Sequence, residues 1–249
     1  MIAQEFRPPT LWEWVGSHTH LILTQTREHV MLTVIAVVVG FAIAFPLSIF
    51  AHRHSRAYPP ITWVTGLLYT IPSVALYVLL IPVTGLTVLS VEIGLVSYTL
   101  LILIRNIVVG IRGVPDDVKE AAVGMGYSRR QVLWKVEVPL ALPAIVAGIR
   151  VTTVSTIGLV TVGFIIGKGG LGELIIEGLN RFYTPEVVVG AVLSIALALS
   201  ADALLLLFQR LLTPWARNRT AIWRGGPVLA NRLGRRPQGG GRSTARAAR

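Results

Sequence analysis

Long apolar runs separated by short polar intervals set the pattern of this chain. Five stretches, approximately residues 30–51, 61–81, 88–111, 145–166 and 187–208, are apolar over about the 20 residues that a helix needs to cross a bilayer. In hydrocarbon every backbone N–H and C=O must be paired inside the segment, so each run predicts a helix. The pattern therefore predicts an all-α, polytopic integral membrane protein with about five transmembrane helices. Residues 11–15 are too short to span, and Trp12 and Trp14 suit an interfacial anchor. The organisation that follows is an N-terminal segment over 1–29, a membrane domain over 30–214 and a basic tail over 215–249.

The longest polar stretch between spans, residues 112–142, carries its own local signals. Pro115 suits the first turn of a helix, and Asp116 and Asp117 complement the positive end of that helix, which is expected to reach about Val123. Gly124 and Gly126 permit a sharp turn. Ser128, Arg129, Arg130 and Gln131 then have the form of a capping box that starts a second helix. Pro139 and Pro143 are expected to break that helix before the fourth span.

Composition agrees with a membrane protein: 53% of residues are hydrophobic, 14% are charged and the mean hydropathy is +0.67, against about a quarter charged in soluble domains. The net charge of +11 raises the question of nucleic acid, but nine arginines and no acids lie after Leu212. That Gly- and Pro-rich tail cannot bury a core and reads as a disordered segment facing anionic lipid headgroups. Only Trp215 and Trp223 interleave with its charge, so no nucleic acid partner is expected. The remaining Lys and Arg fix the orientation. Arg53 and Arg56 follow the first span, and Arg112, Lys119, Arg129, Arg130, Lys135 and Arg150 surround the loop. Residues 1–29 and 168–186 each hold two basic and three acidic residues. The N-terminus is thus expected outside and the C-terminus in the cytoplasm. Residues 1–9 lack the basic start of a signal peptide, so no cleavage is expected. There are no cysteines, which excludes thiolate chemistry and Cys-based metal sites.

Glu120, Ala121 and Ala122, followed by Gly126 and later by Val136, Glu137, Val138 and Pro139, lie in this loop in an order that resembles the EAA loop of ABC-importer permeases. Further strings carry the resemblance: Tyr69, Thr70, Ile71, Pro72 and Ser73; Ile104, Arg105 and Asn106; Gly148, Ile149 and Arg150; and the segment 167–173. Over about residues 31–214 the chain is similar to permeases of the osmoprotectant branch, which take up glycine betaine, carnitine or choline. Valine at Val136 and Val138 departs from the isoleucine and leucine usual there, and is equally apolar. The resemblance implies a type I importer fold in the bacterial inner membrane. It also implies coupling to cytoplasmic ATPase subunits through Glu120, Ala121, Ala122, Gly126, Ser128 and Pro139. The implied partners are those ATPases, a second permease, identical or homologous, and an extracytoplasmic solute-binding protein. This chain would then be a transport subunit rather than an enzyme, with ATP and Mg held by the ATPase and no cofactor of its own.

Candidate path residues follow from spacing. Thr152, Ser155, Thr156, Leu159 and Gly163 form a small, partly polar stripe on the fourth span, which serves either a path or close helix packing. Tyr69, Ser73 and Tyr77 share a face of the second span beside Pro72, whose kink could open the backbone. Aromatic faces attract quaternary ammonium groups, while tyrosine also serves interfacial packing. Arg105 and Asn106 stand near the inner end of the third span. Arg105 either snorkels to the boundary or contacts a gate, and Asp202, deep in the fifth span, suits an internal ion pair or hydrogen-bonded structural role.

Other signals are weaker. The segment 167–173 lacks the phosphate-loop pattern and is expected at an outer turn near the docking surface of the solute-binding protein. The pairs His18 with His20 and His52 with His54 have no further ligands near them, so no metal site is expected. Two rival functions remain: a methionine or other amino-acid ABC permease, and an ATP-independent channel or ion-coupled carrier. The second fits poorly with a chain that shows neither inverted repeats nor a relay of intramembrane acids.

Overall fold

The computed structural model describes residues 10–167 and 169–214. The chain divides into a unit that ends at Leu212 and a second, Thr213–Arg249, nearly all of which lies outside the described residues. The readings of residues 1–9, of Lys168 and of the arginine tail fall outside them too.

Among the described residues the structure is helical. Four helices are long and apolar enough to cross a membrane, and a bent pair, counted as one broken span, brings the number to five. In order these are α2 (Thr19–Arg53), the pair α3 (Tyr58–Thr70) and α4 (Ser73–Thr84), α5 (Val88–Arg112), α8 (Val138–Val162) and α10 (Thr184–Leu212). The short helices are α1 (Leu11–Ser17), α6 (Asp116–Gly124), α7 (Arg129–Val132) and α9 (Leu171–Asn180). The all-α, five-span expectation is borne out.

Helix α5 is the hub: it packs against α2 and α8, and α3 and α4 lie on it as well. Close approach of α2 and α5 needs Gly40, because a Cβ there would sit 1.9 Å from Thr99 Oγ1. Toward the loop end, Leu103, Ile107 and Ile111 of α5 pack with Ala44, Leu133 and Ile145; toward the far end, Leu95 packs with Leu32, Tyr77 and Val160.

Three elements differ from the sequence reading. The second span is not a kinked helix: α3 and α4 meet at 96°. The residue before a proline is driven to extended geometry, and Ile71 takes φ −63°, ψ 128° ahead of Pro72. Conversely, Pro139 and Pro143 break nothing. Helix runs unbroken over Arg129–Ile166 because Leu133–Glu137 widens into a π-helical turn. In that turn the Val138 N–H bonds Leu133 O, five residues back, which makes room for a proline ring with no N–H to give. Finally, of Trp12 and Trp14 only the first stays exposed. Trp12 is open, whereas Trp14 is buried against Tyr183, Leu171 and Leu174. A capping box between Thr10 and Glu13 starts this α1 helix, and the Thr10 amide holds the Glu13 carboxyl below the usual carboxylate range.

The glycine-rich segment after Gly167 forms the turn into α9 and is packed closely against its neighbours. A Cβ at Gly169 would strike Phe164, one at Gly172 would meet Thr161 O at 2.1 Å, and Gln25 donates to Glu173. Its glycines serve backbone approach, tying the α8–α9 connection to the far end of α2.

Candidate functional site

Two regions gather the residues singled out by sequence. The first is the loop between α5 and α8. Pro115 is the N-cap of α6, one position earlier than a first-turn proline, and the acidic pair Asp116 and Asp117 fills the first turn. Helix α6 ends in a Schellman motif: Tyr127 N–H bonds Ala122 O at 3.1 Å and Gly126 N–H bonds Val123 O at 2.9 Å. Gly126 takes the left-handed position at φ +84° that this motif requires. Ser128 then caps α7 as expected. Its N–H donates to Gln131 Oε1 at 2.8 Å, and its Oγ accepts from Gln131 N–H at 3.4 Å.

The result is a compact helix–turn–helix whose exposed edge carries Glu120, Ala121, Val123, Met125 and Gly126. Ala122 is buried within the protein, so of the two alanines only Ala121 is presented outward. Val123 and Met125, 58% and 69% exposed, are the apolar part of the edge that the sequence reading passed over. Large side chains left open at the end of a polar helix were the available signal. Pro139 is half-buried at the start of α8 and lies behind this edge.

The loop is also tied to α2. His52 Nε2 lies 3.1 Å from Glu137 Oε2, so the second His pair does more than flank a boundary. His52, His54, Arg53, Arg129, Arg130 and Glu137 line a pocket of about 610 Å³ beneath the loop. No group of three His, Cys, Asp or Glu among the described residues is placed to hold a metal.

The second region is the break between α3 and α4. Tyr69, Thr70, Ile71, Pro72 and Ser73 join Tyr98, Ser155, Gly158 and Leu159 around a pocket of about 440 Å³. Tyr69 and Tyr98 meet edge to face, with centroids 5.6 Å apart and planes at 70°. The Tyr98 hydroxyl donates to Ile71 O, a carbonyl released from helical pairing by the break. An adjoining pocket of about 490 Å³ shares Tyr69 and Thr70 and extends along Gly66 to Arg105. Arg105 is exposed and has no carboxylate partner among the described residues.

Several candidates do not join this groove. Tyr77 is fully buried; its ring fills the space over Gly94, and its hydroxyl bonds Leu159 O at 3.4 Å. The break separates it from Tyr69, so the three residues expected on one face of a single span are divided. Thr152 and Thr156 are buried between helices, and Thr152 Oγ1 has no hydrogen-bond partner among the described residues. Asn106 packs where a Cβ on Gly148 would meet it at 2.6 Å, and its amide bonds Ile102 O at 2.8 Å. The Ile104–Asn106 and Gly148–Arg150 strings thus meet at one helix crossing.

Asp202 is held by Arg150 in a two-pronged pair, Nε to Oδ1 at 2.9 Å and Nη2 to Oδ2 at 2.8 Å. Gln209 accepts from the same guanidinium at 3.3 Å and donates to Pro143 O at 3.1 Å, so the cluster fastens α10 to α8. Glu92 was not singled out, although it interrupts the start of an apolar run; it is buried and both carboxylate oxygens lack a partner among the described residues. His29, equally buried, bonds Ile157 O through Nε2 at 3.0 Å and fixes α2 to α8.

Residues 36–218 match the family model described as binding-protein-dependent transport system inner membrane component. The chain is 36% identical over 199 residues to the choline transport system permease protein of Bacillus subtilis, covering 80% of this chain and 91% of that one. It is 36% identical to a carnitine transport permease protein of Listeria monocytogenes, covering 79% and 90%, and 36% identical to an osmoprotectant import permease protein of Salmonella typhimurium, covering 76% and 90%. Among solved structures, a chain of the inward-facing MetNI methionine ABC transporter superposes with a TM-score of 0.73 at 21% identity, covering 79% of this chain and 98% of that one; at this identity the likeness speaks for the fold. The helix–turn–helix between α5 and α8, the five-span frame around it and these matches agree: the chain belongs to the family of inner membrane components of binding-protein-dependent transport systems.

Proposed function

We propose that this chain is the permease subunit of an ATP-driven importer that carries a quaternary-ammonium osmoprotectant, such as glycine betaine, choline or carnitine, into the cell. The fold and family support a multi-pass transport subunit of the inner membrane. The substrate class rests on relatives of that description at 36% identity.

The observation that carries the mechanism is mechanical. The edge of α6 is exposed and offers Glu120 with Val123 and Met125, a charge flanked by apolar groups, to a groove in a cytoplasmic ATPase subunit. From Ser128 onward the chain is one unbroken helix through α8, so displacement of the loop turns the span directly. ATP binding, with its Mg, takes place on the ATPase pair and moves the loop; hydrolysis resets it. The N-terminus lies outside and the C-terminus inside, which follows from the basic residues clustered at the loop end. A second permease covers the open side of the α3–α4 groove, and an outer solute-binding protein delivers the solute to the far end. Ser73, Ser155 and Tyr69 then line the path, with Arg105 near its inner end.

Uptake of labelled glycine betaine, choline, carnitine and methionine by a deletion strain complemented with this transporter, with and without salt stress, tests the reading. Uptake of a quaternary amine is expected; uptake of methionine alone defeats the substrate assignment. Glu120→Arg and Gly126→Asp should each abolish uptake while membrane abundance holds. Normal transport by both variants would remove the lever.

A further inference from the structure

The break between α3 and α4 gathers a set of groups that helix packing does not require. Tyr69 is 42% exposed, and behind it Tyr98 is 5% exposed, its ring fixed by the bond from its hydroxyl to Ile71 O. The two rings meet at 70°, so they form a corner with two non-parallel faces. Ser73 and Ser155 line the same pocket, and neither hydroxyl has a hydrogen-bond partner among the described residues, although serines on these helices commonly bond their own backbone, as Ser48 does to Ala44 O at 2.7 Å. Among the described residues no Asp or Glu lines the pocket.

We infer that this corner is a transient recognition station for the solute on its way through the membrane. The ring faces of Tyr69 and Tyr98 receive the quaternary ammonium, and the hydroxyls of Ser73 and Ser155 receive its carboxylate or hydroxyl. The inference rests on the functional reading above and assigns it a site. A quaternary ammonium has no N–H to donate, so hydrogen-bond acceptors offer it nothing specific, whereas an aromatic face attracts it electrostatically. A carboxylate in this low-dielectric setting would hold the cation tightly; rings alone hold it weakly enough to let it pass. About 440 Å³ is ample for a molecule of this size. The pocket is open on one side, which places the solute against a second permease. Tyr77 takes no part, being sealed over Gly94.

The chain has no cysteine, so Ser155→Cys introduces a unique thiol. In the complete transporter in liposomes, with partner subunits freed of reactive cysteines, its rate of modification is measured with a trimethylammonium-bearing methanethiosulfonate and with neutral methyl methanethiosulfonate. The rate ratio cancels general changes in access. Adding Tyr69→Leu should lower the charged-to-neutral ratio about fivefold, and Tyr69→Trp should keep it. Excess choline should slow the charged reagent in the Tyr69 background. An unchanged ratio in Tyr69→Leu, or loss of both rates together, overturns the station. Uptake of labelled choline and betaine by the wild-type complex is measured alongside: uptake with an unchanged ratio defeats the station alone, and no uptake of any quaternary amine defeats the functional reading with it.

Discussion

Two proline-bearing segments of this protein, Ile71-Pro72 and Glu137 to Pro143, pose the same chemical problem and end in opposite shapes. Each proline withholds an N–H and crowds the preceding turn. At Pro72 the chain leaves the helix altogether, and the tyrosine hydroxyl of a neighbouring span takes up the released Ile71 carbonyl. At Pro139 the turn before it widens to five-residue spacing and the helix continues. What decides is where the unpaired backbone groups find partners. A partner from another helix permits a corner, and a partner within the same helix preserves a rod. On the proposed reading the corner borders the solute's path and the rod carries the force that enters at the loop.

Softening the rod has the largest expected effect. Two glycines inserted between Glu137 and Val138 should reduce uptake to background while the transporter still assembles and hydrolyses ATP, as read by uptake and ATPase assays on the same preparation. If uptake survived, the unbroken helix would not be the transmitting element. Next comes the corner: Tyr98→Phe leaves Ile71 O without its donor and should cost about 1 kcal/mol. Its thermal midpoint in detergent should fall by about 2–4 °C. A midpoint equal to wild type would show that the break stands without its cross-helix bond. Smallest is Pro139→Ala, which should alter stability by about 0.5 kcal/mol or less, because the widened turn already accommodates the missing bond. A large gain would mean that the rod is strained at that point.

Hydropathy made the spans legible, since only apolar helices survive in hydrocarbon. Local chemistry made the loop legible: Ser128 with Gln131 and Gly126 act within a few residues, and the capping box and Schellman turn form as their types dictate. What escaped depends on distant neighbours. Whether Pro72 bends or breaks its span turns on Tyr98, 26 positions on. Tyr77 is sealed because Gly94 leaves room for its ring, and Ala122 faces inward because α6 folds back on the turn after it. The glycines after Gly167 mark a turn in the sequence, but their reason is the backbone of α8 and α2 beside them, which the sequence does not show. Periodicity places residues on a face of one helix, but it does not say what lies opposite.

Helix α2 has a geometric consequence. At 35 residues it is about 52 Å long, against roughly 30 Å of oil to cross. The surplus lies at its Thr19 end, where α1 and α9 brace it through Trp14, Leu171 and the Gln25–Glu173 bond. In the proposed orientation the permease therefore raises a stiff parapet above the lipid, a fixed rim on which a solute-binding protein would dock.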